Sequence, residues 1–137
     1  MTNPSIPISW GELLDKIAIL TIKAERLRAP EARGNAEREL ALLRAASAGK
    51  RVAELESALL AVNTRLWRIE DRIREAESAG DFGPVFVALA RSVYRENDER
   101  GRIKQAINRV LRSTLVEEKQ YAAYEPGPVD RGKPSSP

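Results

Sequence analysis

The sequence predicts an all-α fold, an antiparallel helical bundle of about four helices with a long hairpin formed by the third and fourth. Leu, Ala, Arg and Glu, which favour helices, dominate the composition. Only eight of the 137 residues are glycine, and no run alternates apolar and polar residues for long enough to form a strand. Apolar residues recur instead at spacings of three and four, and the length suits one domain with a substantial core.

Three segments divide the chain. Pro4 and Pro7 predict an extended lead over residues 1–8, and we expect a helical bundle domain over residues 9–124. Four prolines and the lack of an apolar cluster in residues 125–137 predict a disordered, Pro-rich tail.

Helix 1 begins with a capping-box pattern. In this pattern the hydroxyl of Ser9 accepts a hydrogen bond from the amide of Glu12, and the Glu12 side chain reaches back to the Ser9 amide. The helix then runs to two or three residues before Pro30, because the residue before a proline disfavours helix. Ile19 and Ile22 lie opposite the main apolar face, so we expect helix 1 to pack between neighbouring helices or against a second subunit.

Helices 2 and 3 follow a break over residues 29–34. We expect helix 2 to start at the capping residue Asn35 and to end near Ala48 and Gly49. Helix 3 has the most regular apolar pattern in the chain, and Gly80 is a natural stop for it. Its spacing predicts a coiled-coil-like seam about three heptads long, formed by Val52, Leu55, Leu59, Val62, Leu66, Ile69 and Ile73.

Helix 4 follows a tight turn predicted over residues 81–84, whose proline suits the first turn of a helix. This short link makes helices 3 and 4 an antiparallel hairpin. We expect helix 4 to run to about Val116 and to fray towards Tyr124. A break at Asn97 is an alternative, because residues 95–102 contain no aliphatic side chain, although the apolar stripe keeps its phase across them.

Polar side chains interrupt the apolar face of helix 4. At about 100° per residue, one face holds Phe86, Val93, Asn97, Arg100, Lys104, Ile107 and Leu111, with Asn108 at its edge. Such groups near a core are destabilising unless each finds a partner. One interpretation is a pocket in which Arg100 and Lys104 bind an anion while the amides orient hydroxyls. The others are an internal ion-pair network with acids of helices 1 and 3, or an exposed stretch or turn.

A second candidate group lies beside the seam of helix 3: Asn63, Trp67, Glu70 and Arg74. Glu70 and Arg74 have the spacing of an intrahelical ion pair. Trp67 either covers the next helix or forms a stacking platform for a sugar or base.

A third candidate group lies on helix 1: Asp15, Lys16 and Lys23. Because Ile19 and Ile22 lie among them, these charges are expected near buried surface. Asp15 is a natural partner for Arg100 or Lys104, and the alternative is that all three are ordinary boundary charges.

The chain contains no cysteine and no histidine. Disulfides, zinc–thiolate sites and thiol nucleophiles are therefore excluded, as are Ser-His-Asp chemistry and Glu-x-x-His di-iron sites. We expect no cofactor and no metal, although carboxylates could still hold magnesium. The 23 Lys and Arg residues are interleaved with 20 Asp and Glu residues, so nucleic acid is not an expected partner.

The N-terminus lacks a basic region followed by an apolar run, so no signal peptide is predicted. No window approaches the ~20 apolar residues that a transmembrane helix needs. We expect a cytoplasmic protein with no membrane span.

Three ordered blocks carry a pattern that covers residues 9–121. The first block, residues 9–23, contains Gly-Glu-Leu-Leu-Asp-Lys, and the second, residues 63–74, contains Leu-Trp-Arg-Ile-Glu-Asp. The third comprises Leu89-Ala90-Arg91-Ser92-Val93-Tyr94, Asn97-Asp98-Glu99-Arg100, Ile103-Lys104, Ile107-Asn108 and Glu117-Glu118-Lys119. The chain resembles a family of small, uncharacterised bacterial proteins catalogued as a domain of unknown function. Some of these stand beside glycosyltransferase or helical-repeat modules, which implies surface-polysaccharide work by association only.

Gly101 departs from the helix-forming residue expected in the Asn-Asp-x-Arg run. The resemblance implies no activity and assigns no role to any residue.

The favoured function is a non-catalytic binding or assembly module that acts through a polar, partly cationic groove between helices 1, 3 and 4. Its partner would be an anionic or glycan-type small molecule, or an acidic segment of a partner protein. One alternative is an enzyme or glycosyltransferase accessory that holds a phosphate-bearing sugar, with Asp15 or Glu70 as the base. Another is a structural homodimer joined through the Ile19 and Ile22 face or the helix 3 seam. Whether the protein is an enzyme stays open.

Overall fold

Four α-helices make up most of residues 2–119, which are the residues that the computed structural model describes. The helices are α1 (Trp10–Arg26), α2 (Pro30–Ser47), α3 (Ala53–Ala79) and α4 (Pro84–Val110). No strand occurs within these residues, and the predicted all-α bundle is confirmed. No helix in this part of the chain is long and apolar enough to cross a bilayer. The predicted tail and the predicted fraying towards Tyr124 lie outside the described residues.

Helices α3 and α4 form the predicted antiparallel hairpin. Gly80 ends α3 in the left-handed conformation, with φ 66°, which glycine adopts without strain. Arg65 pairs with Glu96 at 2.9 Å, and Asn63 accepts a hydrogen bond from Arg100 at 3.0 Å. The later residue of α3 therefore pairs with the earlier residue of α4, so the two helices run antiparallel.

The α1 helix packs into the groove of this hairpin. The main core is formed by Leu14, Ala18, Leu59, Val62, Ile103 and Ile107. Leu59, Val62 and Ile107 have no exposed surface, and each contributes about 1.5–3 kcal/mol of hydrophobic stabilisation.

Both sides of α1 are covered. On one side, Leu20 forms a second apolar cluster with Ala36 and Leu40 of α2. On the other side, Ile22 is only 3% exposed and lies with residues of α3 and α4. The prediction that helix 1 packs between neighbours is therefore confirmed, and the neighbours belong to the same chain.

The predicted start of helix 2 at Asn35 is wrong, because α2 already begins at Pro30. A proline at the first helical position has no amide that would need a partner, and its fixed φ suits a helix. Pro30 therefore ends α1 and starts α2, and the break between them spans residues 27–29. Asn35 lies inside α2 and accepts a hydrogen bond from Arg38.

Helix 4 is continuous through Asn97 and Gly101, so the alternative of a break there is wrong. Gly101 is buried, and a Cβ atom built on it would come no closer than 3.7 Å to the side chain of Lys119. The predicted end near Val116 is also wrong, because α4 stops at Val110. The chain reverses at Arg112, whose φ is 52°.

Candidate functional site

The polar side chains of α4 point inward, as the sequence predicts. Lys104 is 5% exposed and Asn108 is 4% exposed, while the side chain of Arg100 is 25% exposed. These side chains lie at two neighbouring sites that differ in their chemistry. One is a buried cluster of charges near the start of α1, and the other is an open cleft beside the middle of α3.

The buried ion cluster consists of Lys104 and three acids, Glu12, Asp15 and Glu117. The Nζ atom of Lys104 lies 2.8 Å from Glu12 Oε2 and 2.8 Å from Glu117 Oε2. The Oδ2 atom of Asp15 lies 3.8 Å away. Because an ammonium group has three donors, these three carboxylates leave Lys104 little capacity for an outside ligand.

Ionisation of this cluster follows from its contacts. The hydrogen bond from Lys104 holds the pKa of Glu12 below its ordinary value. Burial lowers the pKa of Lys104, but hydrogen bonds to Glu117 and Glu12 outweigh this effect and raise the pKa above its ordinary value. Both groups are therefore charged at neutral pH, and the cluster stabilises the contact between α1, α4 and the segment after α4.

Only half of the predicted capping box forms. The hydroxyl of Ser9 accepts a hydrogen bond from the Glu12 amide at 3.2 Å, as predicted. The Glu12 side chain binds Lys104 instead of reaching back to Ser9. A buried ammonium attracts a carboxylate more strongly than a neutral backbone amide does, so the tertiary contact prevails.

Asn108 and Ser113 satisfy the two amides that begin α1. Asn108 Oδ1 accepts a hydrogen bond from the Gly11 amide at 2.7 Å. Ser113 Oγ accepts one from the Trp10 amide at 3.2 Å. The first amides of a helix have no partner within the helix, so Asn108 has a structural contact that accounts for its burial.

The second place is an open cleft, here called the central cleft, with a volume of about 450 Å³. It is lined by Ile19 and Ile22 of α1, by Asn63, Leu66, Trp67, Glu70, Asp71 and Arg74 of α3, and by Asn97 and Arg100 of α4.

Arg100 connects the central cleft to the buried ion cluster. Its Nη1 donates to Asn63 Oδ1 at 3.0 Å, and Asn63 Nδ2 donates to Asp15 Oδ1 at 2.8 Å. The Nε atom lies 3.9 Å from Asp15 Oδ2. This Nε is buried and has no hydrogen-bond partner within residues 2–119. Since a guanidinium has five donors, Arg100 keeps donor capacity at the wall of the cleft.

The rim of the central cleft carries an aromatic ring and opposite charges. Trp67 is half-buried, and Ile19 is a half-buried apolar residue of the facing wall. Arg74 lies 3.4 Å from Glu70, with its side chain 72% exposed. An exposed pair of this kind is weak, so both groups can exchange partners easily.

Six of the predicted candidates line this cleft, namely Asn63, Trp67, Glu70, Arg74, Asn97 and Arg100. The other five lie outside it. Asp15, Lys104 and Asn108 make the buried contacts described above, and Lys16 is an exposed residue 3.7 Å from Glu12. Lys23 is half-buried in the last turn of α1. Their roles in ligand binding stay predictions.

Sequence reasoning missed Glu12 and Glu117 as partners of Lys104. The capping-box pattern already accounts for a glutamate at position 12, so the sequence does not indicate its contact with Lys104. Glu117 follows the predicted helix 4 pattern, and nothing local indicates that the chain turns back. The expected pairing of Asp15 with Arg100 or Lys104 is confirmed, at 3.9 Å and 3.8 Å.

Comparison with known proteins gives a family but no activity. Residues 5–135 match the family described as "Family of unknown function (DUF6165)". No curated protein and no solved structure matches the chain. The chain belongs to this family of unknown function.

Proposed function

We propose that this member of the family is a non-catalytic binding module whose central cleft takes an anionic, glycan-type small molecule. The observation that carries the proposal is Arg100, which lines the cleft with its side chain 25% exposed and donates from Nη1 to Asn63. Guanidinium groups bind carboxylates and phosphates through paired hydrogen bonds. An anionic group beside Arg100 would use donors that its contact with Asn63 leaves free.

The remainder of the cleft suits a hydroxylated molecule. Trp67 offers an apolar ring face on which a sugar can stack, and the amide of Asn97 can both donate to and accept from hydroxyls. Glu70 and Asp71 add acceptors. The volume of about 450 Å³ falls within the roughly 300–1,000 Å³ typical of small-molecule sites.

An enzymatic or glycosyltransferase-accessory role is the first alternative and would use the same cleft. Asp15 is a poor candidate for its base, because it is 3% exposed and accepts a hydrogen bond from Asn63. Glu70 can reach the cleft but is paired with Arg74. Simple binding therefore requires fewer rearrangements than catalysis.

A structural homodimer is the second alternative. The two surfaces proposed for it are the Ile19 and Ile22 face and the helix 3 seam. Ile22 is 3% exposed, and Leu59 and Val62 of the seam are fully buried within one chain. We favour binding over this alternative, and we propose the bacterial cytoplasm as its setting.

Tryptophan fluorescence tests the proposal, because the chain has two tryptophans and only Trp67 lines the cleft. In a Trp10→Phe background, Trp67 becomes the only reporter. The probes are glucose 1-phosphate, UDP-glucose, galacturonate and inorganic phosphate, with glucose as the uncharged control. We expect at least one charged probe to change the fluorescence saturably and to raise the melting temperature by about 3 °C or more.

Matched arginine variants identify the site. Arg100→Met should weaken binding of that probe at least about tenfold, whereas Arg68→Met, which changes an exposed arginine outside the cleft, should leave it unchanged. The proposal is contradicted if no charged probe binds at millimolar concentration, if glucose binds as well as its phosphate, or if both variants behave alike.

A further inference from the structure

The two ends of the central cleft present opposite charges. Its α3 wall extends from Asn63 to Arg74, which is about three turns and roughly 16 Å of helix. At the end near Asn63, Arg100 presents a guanidinium that donates to Asn63 at 3.0 Å. At the other end, Glu70 and Asp71 line the cleft together with Arg74. Two carboxylates and one guanidinium leave this outer end with one negative charge in excess.

The outer carboxylates are available to a ligand. Asp71 is exposed, and it makes no hydrogen bond or ion pair with any residue in the described part of the chain. Glu70 lies 3.4 Å from Arg74, with side chains that are 49% and 72% exposed, respectively. An ion pair this exposed adds little stability. A cationic group of a ligand can therefore replace Arg74 beside Glu70 and bind Asp71 at the same time.

Apolar surface adjoins these carboxylates. Leu66 and Trp67 precede Glu70 on the α3 wall, and Ile19 and Ile22 form the α1 wall. Trp67 and Glu70 are three residues apart, so their side chains are neighbours on the helix surface. The face of an indole ring attracts a cation. An ammonium group bound to Glu70 would therefore also be stabilised by Trp67.

We propose that the ligand of the central cleft is an amino-sugar phosphate. Arg100 binds its phosphate, and Glu70 and Asp71 bind its ammonium group. The sugar ring stacks on Trp67 between them. Asn63, where Arg100 is held, and Glu70 are two turns apart, about 10 Å along α3. An amine and a phosphate on opposite sides of a sugar ring suit this separation better than adjacent ones. The inference rests on the proposed function, which requires only the anionic group.

Three sugar 6-phosphates test the proposal through the fluorescence of Trp67 in the Trp10→Phe background. Glucosamine 6-phosphate carries both charges, glucose 6-phosphate lacks the amine, and N-acetylglucosamine 6-phosphate carries the nitrogen as a neutral amide. We expect glucosamine 6-phosphate to bind at least about tenfold more tightly than either of the other two, because only its ammonium group can pair with the outer carboxylates.

Matched substitutions of acids on α3 locate the ammonium group. Glu70→Gln combined with Asp71→Asn should bring the affinities for glucosamine 6-phosphate and glucose 6-phosphate to a ratio of about one. Glu75→Gln, which changes an exposed acid outside the central cleft, should keep the preference for the amine. Since Glu70 and Asp71 are exposed, the double variant should unfold in urea as the wild type does.

Equal affinities of the wild type for the three phosphates, or a preference that survives the double substitution, would overturn this inference. The proposed function would still stand in that case if Arg100→Met weakens binding of the phosphates. A failure of all three phosphates to bind at millimolar concentration, or binding that Arg100→Met does not weaken, would contradict the proposed function and this inference with it.

Discussion

At the residue scale, Gly11 shows how closely α1 approaches α4. A Cβ atom at this position would lie 2.6 Å from the carbonyl oxygen of Lys104 and 3.0 Å from Asn108 Oδ1. The nearer atom belongs to the backbone of a helix, which cannot move aside without disturbing the core. Glycine at this position lets the Gly11 amide reach Asn108, and it brings Glu12 within reach of Lys104.

We predict that Gly11→Ala lowers the free energy of unfolding by about 2 kcal/mol, because it overpacks this contact. Gly101→Ala is the matched control, since its Cβ would meet only the Lys119 side chain at an ordinary 3.7 Å. That change should raise the free energy of unfolding by up to about 1 kcal/mol through helix propensity. Urea unfolding measures both, and an equal effect of the two substitutions would contradict the proposed close contact.

The same scale shows what could be predicted from the sequence and what could not. The inward position of Arg100 and Lys104 follows from helical periodicity, which carries information within one element. The partners Glu12 and Glu117 do not follow, because each depends on a neighbouring segment folding against α4. Gly11 likewise has no local signal that would separate a close approach from an ordinary first turn of a helix.

At the scale of elements, the end of α4 decides where the next segment, residues 111–119 (here called the return segment), lies. The Ser113 amide bonds to the carbonyl of Asn108 at 2.8 Å, with Arg112 in the left-handed conformation at φ 52°. This is the hydrogen-bond pattern with which glycine usually ends a helix. Because an arginine occupies that position, the sequence predicts continuation to Val116 and misses the reversal.

We predict that Arg112→Gly raises the free energy of unfolding by about 0.5–1 kcal/mol, because glycine adopts the left-handed conformation without the steric penalty of a side chain. Arg109→Gly is the control, since this residue lies in the last turn of α4 with helical backbone. That change should lower stability by about 1 kcal/mol. Guanidinium denaturation distinguishes them, and a loss of stability in Arg112→Gly would argue against the reversal.

At the scale of the whole molecule, the buried ion cluster links α1, α4 and the return segment, so its ionisation affects global stability. Glu12 has a lowered pKa in the folded chain, so its contribution is present above the ordinary value of about 4.3 and is lost as the pH falls through the folded value. Lys104 has a raised pKa, so its contribution is present below about 10.4 and is lost as the pH rises through the folded value.

We therefore predict that the contribution of this cluster to the free energy of unfolding is constant between about pH 5 and pH 10 and falls on either side. Urea midpoints measured across this range test the prediction. The free energy of unfolding of Lys104→Met should fall less than that of the wild type at both acid and alkaline pH. The variant has no Lys104 to titrate, and its Glu12 lacks the hydrogen bond that lowers the Glu12 pKa. An undiminished alkaline fall in the variant would show that other groups cause it.

The two inward-pointing cations of α4, Lys104 and Arg100, have different surroundings in the folded molecule. Lys104 is held by three carboxylates of the same chain, whereas Arg100 lines an open cleft with its side chain 25% exposed. The sequence predicts both as members of one polar stripe. The sequence does not distinguish Lys104 from Arg100, because the difference depends on tertiary structure. The return segment brings Glu117 to Lys104, whereas α1 leaves the cleft beside Arg100 open.

The unfolding free energies of Lys104→Met and Arg100→Met, measured side by side in urea, test this division most directly. We predict that Lys104→Met loses about 3 kcal/mol, because it strands buried carboxylates. Arg100→Met should lose about 1–2 kcal/mol, since it removes the donor to Asn63 Oδ1, but Asn63 lines the open cleft and Asp15 keeps its contact with Lys104. Equal losses in the two variants, or a Lys104→Met protein as stable as the wild type, would contradict the account.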